Sequence, residues 1–232
     1  FLAPYESGTL DRLSSVIFTT ARTQHTHSLE ESGEGAPGVQ DEASPIRSLD
    51  QLYAQAQGLH PLLLKKVQEW AEASDGYFHA LDGGFVRWRD VRQSPSEEAR
   101  IKWAALKSPA RAIEKVLRVY AGDPSRLLDI CRQTVVCEGA GGLEACLLCI
   151  SRDKDVVVER VKNRLDPGYR AAAETAGYRD VLLNVRVDTD LTRALGIETH
   201  VCEVQLVLKS FADLKSQAGH KRYCAWRDVR AM

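Results

Sequence analysis

The chain has 232 residues, of which 44% are hydrophobic and 27% are charged, a balance typical of one medium-sized domain with extensions. Its formal net charge of −1 excludes a protein that is basic throughout and binds nucleic acid by bulk charge, although a local basic patch is compatible with it. No apolar run approaches the ~20 residues that a helix needs to cross a bilayer, so we expect no membrane span.

The six cysteines indicate a reducing, intracellular compartment, because most of them lie inside apolar segments. Cys146 and Cys149 form a CxxC motif, but no second cysteine pair or histidine pair follows at zinc-binding spacing. We therefore favour buried free thiols over a structural zinc site. The sequence starts at Phe1, from which we expect a processed or trimmed product, with a mitochondrion or a plastid as a candidate location.

Residues 1–45 are rich in Ser, Gly, Thr and Glu, a composition typical of low-complexity segments. Ordering a residue costs about 1–2 kcal/mol of backbone entropy, and this segment offers its own domain little apolar surface to offset that cost. We predict an extended arm that lies on other protein chains, in a larger complex. The alternative is an arm that folds back on its own domain through a few apolar residues: Leu10, Leu13, Val16, Ile17 and Phe18.

Residues 46–105 are predicted to form a helical N-terminal region. Between Ser48 and Ala73 apolar residues recur near the 3.6-residue helical period, and Gly58 and Pro61 are expected to divide this helix into two pieces. The aromatic-rich residues 76–93 are expected to form a loop or a short irregular piece. Two further helices are predicted over residues 96–107 and, starting at a favourable first-turn proline, over residues 109–120.

Residues 106–232 alternate between strand and helix patterns. A short helical turn leads into a strand over residues 127–137, and a helix follows over residues 142–150. Because strands mix with helices and no GxGxxG motif is present, we predict an α+β domain with a mixed β-sheet flanked by helices. The three later strands are predicted over Asp155–Asn163, Gly177–Val187 and His200–Lys209.

Alternation along these strands predicts one apolar and one polar face of the sheet. In the last strand, Glu203 and Gln205 lie opposite four apolar positions. The first of the three strands is predicted to place Val157 and Val161 on one face, with its basic residues on the other. Asp129 and Arg132 flank the entry to the preceding strand. The polar residues that we expect on the shared face are Arg160, Lys162, Asp180, Asn184, Arg186, Glu203 and Gln205.

Such a face has a chemical use. Two carboxylates a few ångströms apart repel each other unless a cation joins them, and Mg²⁺ is the usual cation for oxygen ligands that also include phosphates. Arginine and lysine would neutralise the remaining phosphate charge, and Tyr178 would stack on a base. The alternative is a solvated sheet face with ordinary cross-strand ion pairs, each contributing ~0.2–1 kcal/mol. The pattern alone leaves both interpretations open.

Five segments in chain order, KSPARAIEK, LLDICRQTVV, VERVKNRLDP, GYRD and CEVQL…GHKRY, resemble the RelA/SpoT-type nucleotidyltransferase domain of (p)ppGpp synthetases. The likeness covers about residues 106–227. It implies a mixed β-sheet flanked by helices, in agreement with the alternation. It also implies transfer of pyrophosphate from ATP to the 3′-hydroxyl of a guanine nucleotide, with Mg²⁺ as the cofactor.

The resemblance further implies roles for individual residues. Asp129 and Glu203 are similar to the family's metal-binding acidic residues, and Glu203 is a metal ligand or the base for the acceptor hydroxyl. Gln205 matches a polar position of the last motif and completes the catalytic set. Tyr178 is similar to the tyrosine that stacks on the acceptor guanine. The other nucleotide-binding residues that the motifs imply are Lys107, Arg111, Lys115, Arg132, Lys162, Arg179 and His220.

Several positions depart from the family pattern. Asn163 stands where bacterial synthetases usually have Asp, and Asp180 and Leu182 replace the Ser and His of the usual GYxSxH motif. Arg132 follows Asp129 by three residues instead of the five common in bacterial enzymes. These departures indicate a divergent, eukaryotic-type relative.

Three hypotheses about function follow. The first is a transferase, or at least a nucleotide-binding protein, supported by the acidic and basic residues that match. The second is a catalytically silent structural subunit that reuses the fold; residues 1–105 contain no His-Asp pair and hence no HD-type hydrolase. The third, a toxin-like transferase acting on RNA, follows from family breadth only, and the sequence pI of about 6.7 gives it little support.

Overall fold

The structure, a computed structural model, describes residues 46–170, 175 and 177–214 of the chain. The strand order of its mixed β-sheet is β2-β1-β3-β6-β5-β4, in which β3 and β6 are parallel and the other neighbouring strands are antiparallel. The predicted α+β fold is confirmed. The predictions for residues 1–45 and for His220 lie outside the described residues. The strands are β1 (Tyr77–His79), β2 (Phe85–Arg87), β3 (Arg132–Cys137), β4 (Val156–Asn163), β5 (Val181–Val187) and β6 (Cys202–Leu208).

Helices flank this sheet, and none of those in the described residues is long and apolar enough to cross a membrane. The two long helices α1 and α5 pack against each other, and α1 also packs on β3. A 3₁₀ turn at Pro124–Arg126 precedes β3. The helices are α1 (Leu49–Ser74), α2 (Trp88–Val91), α3 (Pro95–Glu98), α4 (Pro109–Val119), α5 (Ala140–Arg152), α6 (Asp190–Leu195) and α7 (Lys209–Leu214).

Helix α1 is continuous, so the predicted division at Gly58 and Pro61 is wrong. The helix starts with a capping box, in which the Ser48 hydroxyl accepts the N–H of Gln51 and the Gln51 side chain accepts the N–H of Ser48. Pro61 lies on the exposed side. Buried residues before and after the proline anchor both halves of the helix to one core and hold it together across the missing hydrogen bond. They are Leu52, Ala56, Leu59, Leu63, Val67 and Trp70.

The segment between α1 and α4 differs most from the sequence-based prediction. Residues 76–93 contain the hairpin β1–β2, which widens the sheet through the β1–β3 pair. The helix predicted over residues 96–107 is limited to α3, and the chain then runs extended. Its backbone N–H groups form long-range hydrogen bonds: Lys102 donates to the His79 carbonyl at 2.8 Å, and Lys107 donates to the Ile130 carbonyl at 2.9 Å. These contacts override local helix propensity.

A β-bulge corrects the predicted faces of β4. The register shifts between Val158 and Arg160, so Val157 lies opposite Arg186 and Val161 lies opposite Leu183. The two valines predicted to share a face therefore lie on opposite faces, because the extra residue of a bulge reverses the alternation beyond it. The predicted positions of Arg160 and Lys162 remain opposite the polar-face residues of β5.

The described cysteines are all free thiols, in agreement with the prediction. Cys146 of the CxxC motif is buried in α5 and Cys149 is partly exposed one turn later. Within the described residues no group of three or more His, Cys, Asp or Glu side chains is placed as a structural zinc site would require. Cys146 is buried among the core residues and so contributes to the packing of α5.

Candidate functional site

The polar face of the sheet is centred on β6, as predicted. Glu203 lies opposite Arg132 of β3 on one side and Asn184 of β5 on the other. Its neighbour on the same face, Gln205, donates a hydrogen bond from Nε2 to the Glu203 carboxylate at 2.7 Å. Because paired residues on neighbouring strands project from the same face of a sheet, Arg132 and Asn184 flank Glu203 on this face.

Asp129 lies beside this face, in the link between the 3₁₀ turn and β3, and is buried. Its Oδ2 atom accepts hydrogen bonds from two ammonium groups, Lys107 Nζ at 2.7 Å and Lys115 Nζ at 3.0 Å. Burial acts to raise the pKa of Asp129, but the charges on Lys115 and Lys107 outweigh it and hold the pKa below its usual range. Asp129 is therefore an ionised carboxylate inside the protein.

The two lysines reach Asp129 from different elements. Lys107 ends the extended segment, where its backbone N–H bonds to Ile130 and its carbonyl accepts the hydroxyl of Tyr53 at 2.6 Å. Burial lowers the pKa of Lys107 despite the contact with Asp129. Lys115 lies on α4; burial acts to lower its pKa, but the attraction of Asp129 is greater and the pKa is raised. The structure thus concentrates charge at this point with little solvent to screen it.

Glu203 is electrostatically linked to Asp129. Burial, together with the negative charge of Asp129, raises the pKa of Glu203, whereas the hydrogen bond from Gln205 acts to lower it. Arg132, the first residue of β3, is exposed and also acts to lower this pKa. The structure thus places Asp129 and Arg132 within electrostatic reach of Glu203.

The opposite end of the polar face is aromatic and apolar. Val136 and Val207 are buried there beneath α7. Gly177 turns the chain with φ +89°, and the Thr175 hydroxyl donates to the Tyr178 carbonyl at 2.6 Å, which fixes the backbone of Tyr178. Burial and nearby Asp180 raise the pKa of the Tyr178 hydroxyl. The partly buried side chains of this apolar end are Tyr77, Phe85, Tyr178 and Phe211.

Asp180 and Arg179, which follow Tyr178, make structural contacts. Asp180, predicted on the polar face, is fully buried and its carboxylate pairs with the Arg164 guanidinium at 2.6 Å. The guanidinium of Arg179 donates to the carbonyls of Arg164 at 3.1 Å and Asp166 at 2.9 Å, and to that of Tyr169 at 3.5 Å. The two residues hold the loop after β4 against the start of β5.

The remaining basic residues named from the motifs lie further from Asp129. Lys162 of β4 is two strands from Gln205, and its Nζ is 5.3 Å from the ring centroid of Tyr169. Arg111 is exposed on α4 and pairs with Glu114 at 2.6 Å. The structure brings Lys107, Lys115 and Arg132 together around the carboxylates and leaves Lys162 and Arg111 at the periphery.

Sequence reasoning missed residues that support the site from the apolar side. Tyr53 of α1 bonds to the carbonyl of Lys107, and nothing in a helical pattern signals such a contact. Gln133 of β3 is buried on the apolar face and exchanges hydrogen bonds with the backbone of Ala104 at 3.3 and 3.0 Å. A polar residue on the apolar side of a strand was the available signal for Gln133, because a buried amide needs partners.

The donor atoms of the site fit a hard divalent cation. Within the part of the chain that the structure describes, Asp129 Oδ1 is buried and accepts no hydrogen bond. A buried acceptor without a partner is costly unless a ligand completes it. Mg²⁺ typically takes one or two carboxylates from a protein and further oxygens from water and phosphate. Asp129 supplies a carboxylate of that kind, and Glu203 lies within electrostatic reach of it.

A solved alarmone synthetase has a similar fold. The chain is similar to small alarmone synthetase 2 from Bacillus subtilis, with 16% identity and a TM-score of 0.50 over 77% of this chain and 81% of that chain. No protein-family model matches the chain, and no curated protein sequence does. At this identity the likeness shows the fold alone.

Two other solved structures are similar to the chain at lower TM-scores. One is the Type VI effector Tas1 in complex with its immunity protein, with 19% identity and a TM-score of 0.42 over 68% of this chain and 60% of that chain. The other is small alarmone synthetase 1 from Bacillus subtilis bound to its product pppGpp, with 18% identity and a TM-score of 0.40 over 53% of this chain and 61% of that chain.

Proposed function

We propose that the chain binds ATP with Mg²⁺ and transfers its pyrophosphoryl group to a hydroxyl of a second nucleotide, with a guanine nucleotide as the expected acceptor. One observation carries this proposal: two electrostatically linked carboxylates, Asp129 and Glu203, lie among Lys107, Lys115 and Arg132. The fold, similar to that of an alarmone synthetase, agrees with it.

In this proposal the basic residues bind the donor phosphates. Lys107, Lys115 and Arg132 reach the carboxylates from three different elements, so a triphosphate placed among them meets positive charge from several directions. Arg111, one turn before Lys115 on α4, extends the basic surface outward. The divalent cation, when bound, supplies further charge neutralisation at the donor phosphates.

Glu203 is the proposed general base. Its raised pKa improves its ability to accept the proton from the acceptor hydroxyl, because a base works best when its pKa approaches the working pH. The hydroxyl oxygen then bonds to the β-phosphorus of ATP, and the bond from that phosphorus to the oxygen bridging the α-phosphate breaks, so that AMP leaves. Gln205 holds the Glu203 carboxylate in place through its hydrogen bond.

The aromatic end of the face suits the acceptor base. Tyr178 lies at this end and is within electrostatic reach of Glu203. A base stacked on Tyr178 would therefore hold the acceptor nucleotide near the proposed general base. A stacked nucleoside contributes about 1–3 kcal/mol per base in protein complexes. We therefore assign base stacking to Tyr178.

The test is product formation by the full chain. Incubation with Mg²⁺, γ-labelled ATP and GTP or GDP should give a labelled guanine nucleotide, and Asp129→Asn should reduce its formation at least about hundredfold. Asp82→Asn is the matched control, because Asp82 is an exposed carboxylate on the hairpin that pairs with Arg100. Equal product from wild type and Asp129→Asn would contradict the proposal.

A catalytically silent subunit is the second candidate, and a different observation favours it. Arg179 and Asp180 are engaged in contacts with the loop after β4, so fewer groups near Tyr178 are available to recognise an acceptor. In this proposal residues 1–45 bind other protein chains of a larger complex, in an organelle such as a mitochondrion or a plastid. Absence of labelled product, with stable association of the full chain in a complex that requires residues 1–45, would favour it.

A further inference from the structure

The charges around Asp129 are unevenly shared between its two oxygens. Oδ2 accepts both ammonium groups, at 2.7 and 3.0 Å, while Oδ1 is buried and accepts none within the described residues. The side chain of Asp129 is 9% exposed and that of Lys107 is 12% exposed. One buried carboxylate therefore holds two cations, and the local charge is positive before Glu203 is considered.

The two lysines are themselves fixed to their positions. The backbone of Lys107 is bonded on both sides, to Ile130 through its N–H and to Tyr53 through its carbonyl. Lys115 Nζ also lies 5.5 Å from the ring centroid of Tyr120. Moving the Lys107 ammonium away without another anion to receive it would leave a poorly solvated charge, which is strongly unfavourable.

A divalent cation that approached Asp129 alone would meet this positive charge directly. Each ammonium group repels a divalent cation twice as strongly as it would a monovalent one, and little solvent is present to screen that repulsion. A nucleotide changes the balance, because its phosphate oxygens can receive the two ammonium groups while they supply further ligands to the cation.

We propose that Lys107 and Lys115 are internal counter-ions of Asp129, so that a divalent cation binds to this site only together with a nucleotide phosphate chain. This inference rests on the proposed function, since it takes Asp129 as a ligand of the cation. It adds the order of binding: the metal arrives with the nucleotide. By linkage, the nucleotide raises metal affinity by the same factor as the metal raises nucleotide affinity.

The test measures Mn²⁺ binding to the full chain by electron paramagnetic resonance, which counts free Mn²⁺ and needs no turnover. Wild type should bind Mn²⁺ weakly alone and at least about tenfold more tightly with a non-hydrolysable ATP analogue, after correction for Mn²⁺ bound to the analogue itself. Lys115→Met removes one ammonium and should tighten nucleotide-free Mn²⁺ binding by about tenfold or more. Arg118→Met is the matched control, because Arg118 lies on the same helix and pairs with Glu114.

The outcomes separate this inference from the proposed function. Tight, nucleotide-independent Mn²⁺ binding by wild type that Asp129→Asn abolishes would overturn the counter-ion role and leave the metal site intact. Equal Mn²⁺ affinity of wild type and Lys115→Met without nucleotide would also overturn it. Absence of Mn²⁺ binding by wild type with the analogue, beyond what the analogue binds, would overturn both this inference and the assignment of Asp129. The tightening in Lys115→Met, with Arg118→Met unchanged, would support the inference.

Discussion

Two clusters of charge in this protein are built differently. Around Arg164 and Asp180 one guanidinium meets one carboxylate at 2.6 Å, and both side chains are largely buried. Around Asp129 two ammonium groups share one oxygen, and a further carboxylate, Glu203, lies nearby with a raised pKa. The first arrangement is a complete pair, because its one positive charge balances its one negative charge, and we expect it to stabilise the fold. In the second arrangement the proposed function adds a nucleotide and a divalent cation.

The largest expected effect on stability comes from breaking the complete pair. Asp180→Asn leaves the Arg164 guanidinium without its counter-charge, and we expect the free energy of unfolding to fall by about 3–5 kcal/mol. Urea denaturation followed by circular dichroism measures this. Asp82→Asn, which breaks an exposed pair with Arg100, is the control and should change stability by less than about 1 kcal/mol. A small effect of Asp180→Asn would remove the distinction between the two clusters.

The lowered pKa of His200 reflects the cost of burying a positive charge. The residue is 3% exposed, Nδ1 lies 3.3 Å from Gln55 Oε1, and burial lowers its pKa from 6.5 to about 4. The folded protein therefore binds this proton less readily than the unfolded chain, so stability is complete above pH 6.5 and is lost as pH falls towards 4. The loss should be about 3 kcal/mol.

The difference in stability between wild type and His200→Gln isolates this titration from that of other groups. Urea denaturation at several pH values should show that the difference varies between pH 6.5 and 4 and is constant above that range. A difference that stays constant throughout would mean that His200 titrates normally in the folded protein.

Tyr53→Phe should have a smaller effect. The variant removes the 2.6 Å hydrogen bond to the Lys107 carbonyl but keeps the ring, and a neutral hydrogen bond of this kind contributes about 0.5–1.5 kcal/mol. If the bond also positions Lys107, the metal-dependent affinity for the ATP analogue should fall as well, as calorimetry would show. A loss of stability without a loss of affinity would limit Tyr53 to a structural role.

Glu203→Gln should have the smallest effect on stability, and with the opposite sign. Because the pKa of Glu203 is raised in the folded protein, its ionisation costs stability as pH rises above the unfolded value, so the variant should be slightly more stable at pH 7. The gain should shrink as pH falls and vanish below about 4.5, where the unfolded carboxyl also becomes mostly protonated. If Glu203→Gln instead destabilises the protein at pH 7, the Glu203 carboxylate stabilises the fold as Asp180 does.

The sequence allowed the faces of the sheet to be predicted where alternation is regular. Glu203 and Gln205 alternate with apolar residues along β6, and the structure confirms their shared face. The same reasoning failed at Val157, because a bulge changes the register without leaving a pattern in the sequence. It also failed for residues 96–107, where long-range bonds to β1 and to the Ile130 carbonyl hold the chain extended.

The sequence indicated which residues belong to the candidate site, but it did not indicate how their side chains contact one another. Motif resemblance named Asp129, Lys107 and Lys115, but the sharing of one carboxylate oxygen by two lysines depends on how the fold places α4 and the segment before it next to Asp129. The sequence predicted Asp180 on the polar face but did not indicate its burial in an ion pair. Its partner Arg164 lies across the β4–β5 pair, and only the folded register brings the two charges together.

The central claim is that Asp129 and Glu203 form a metal-dependent nucleotide site, and calorimetric titration of the full chain with a non-hydrolysable ATP analogue tests it most directly. The account predicts binding that requires Mg²⁺ and is lost in Asp129→Asn, with the circular dichroism spectrum of the variant unchanged. Binding of equal affinity in wild type and Asp129→Asn, or binding indifferent to Mg²⁺, would contradict it.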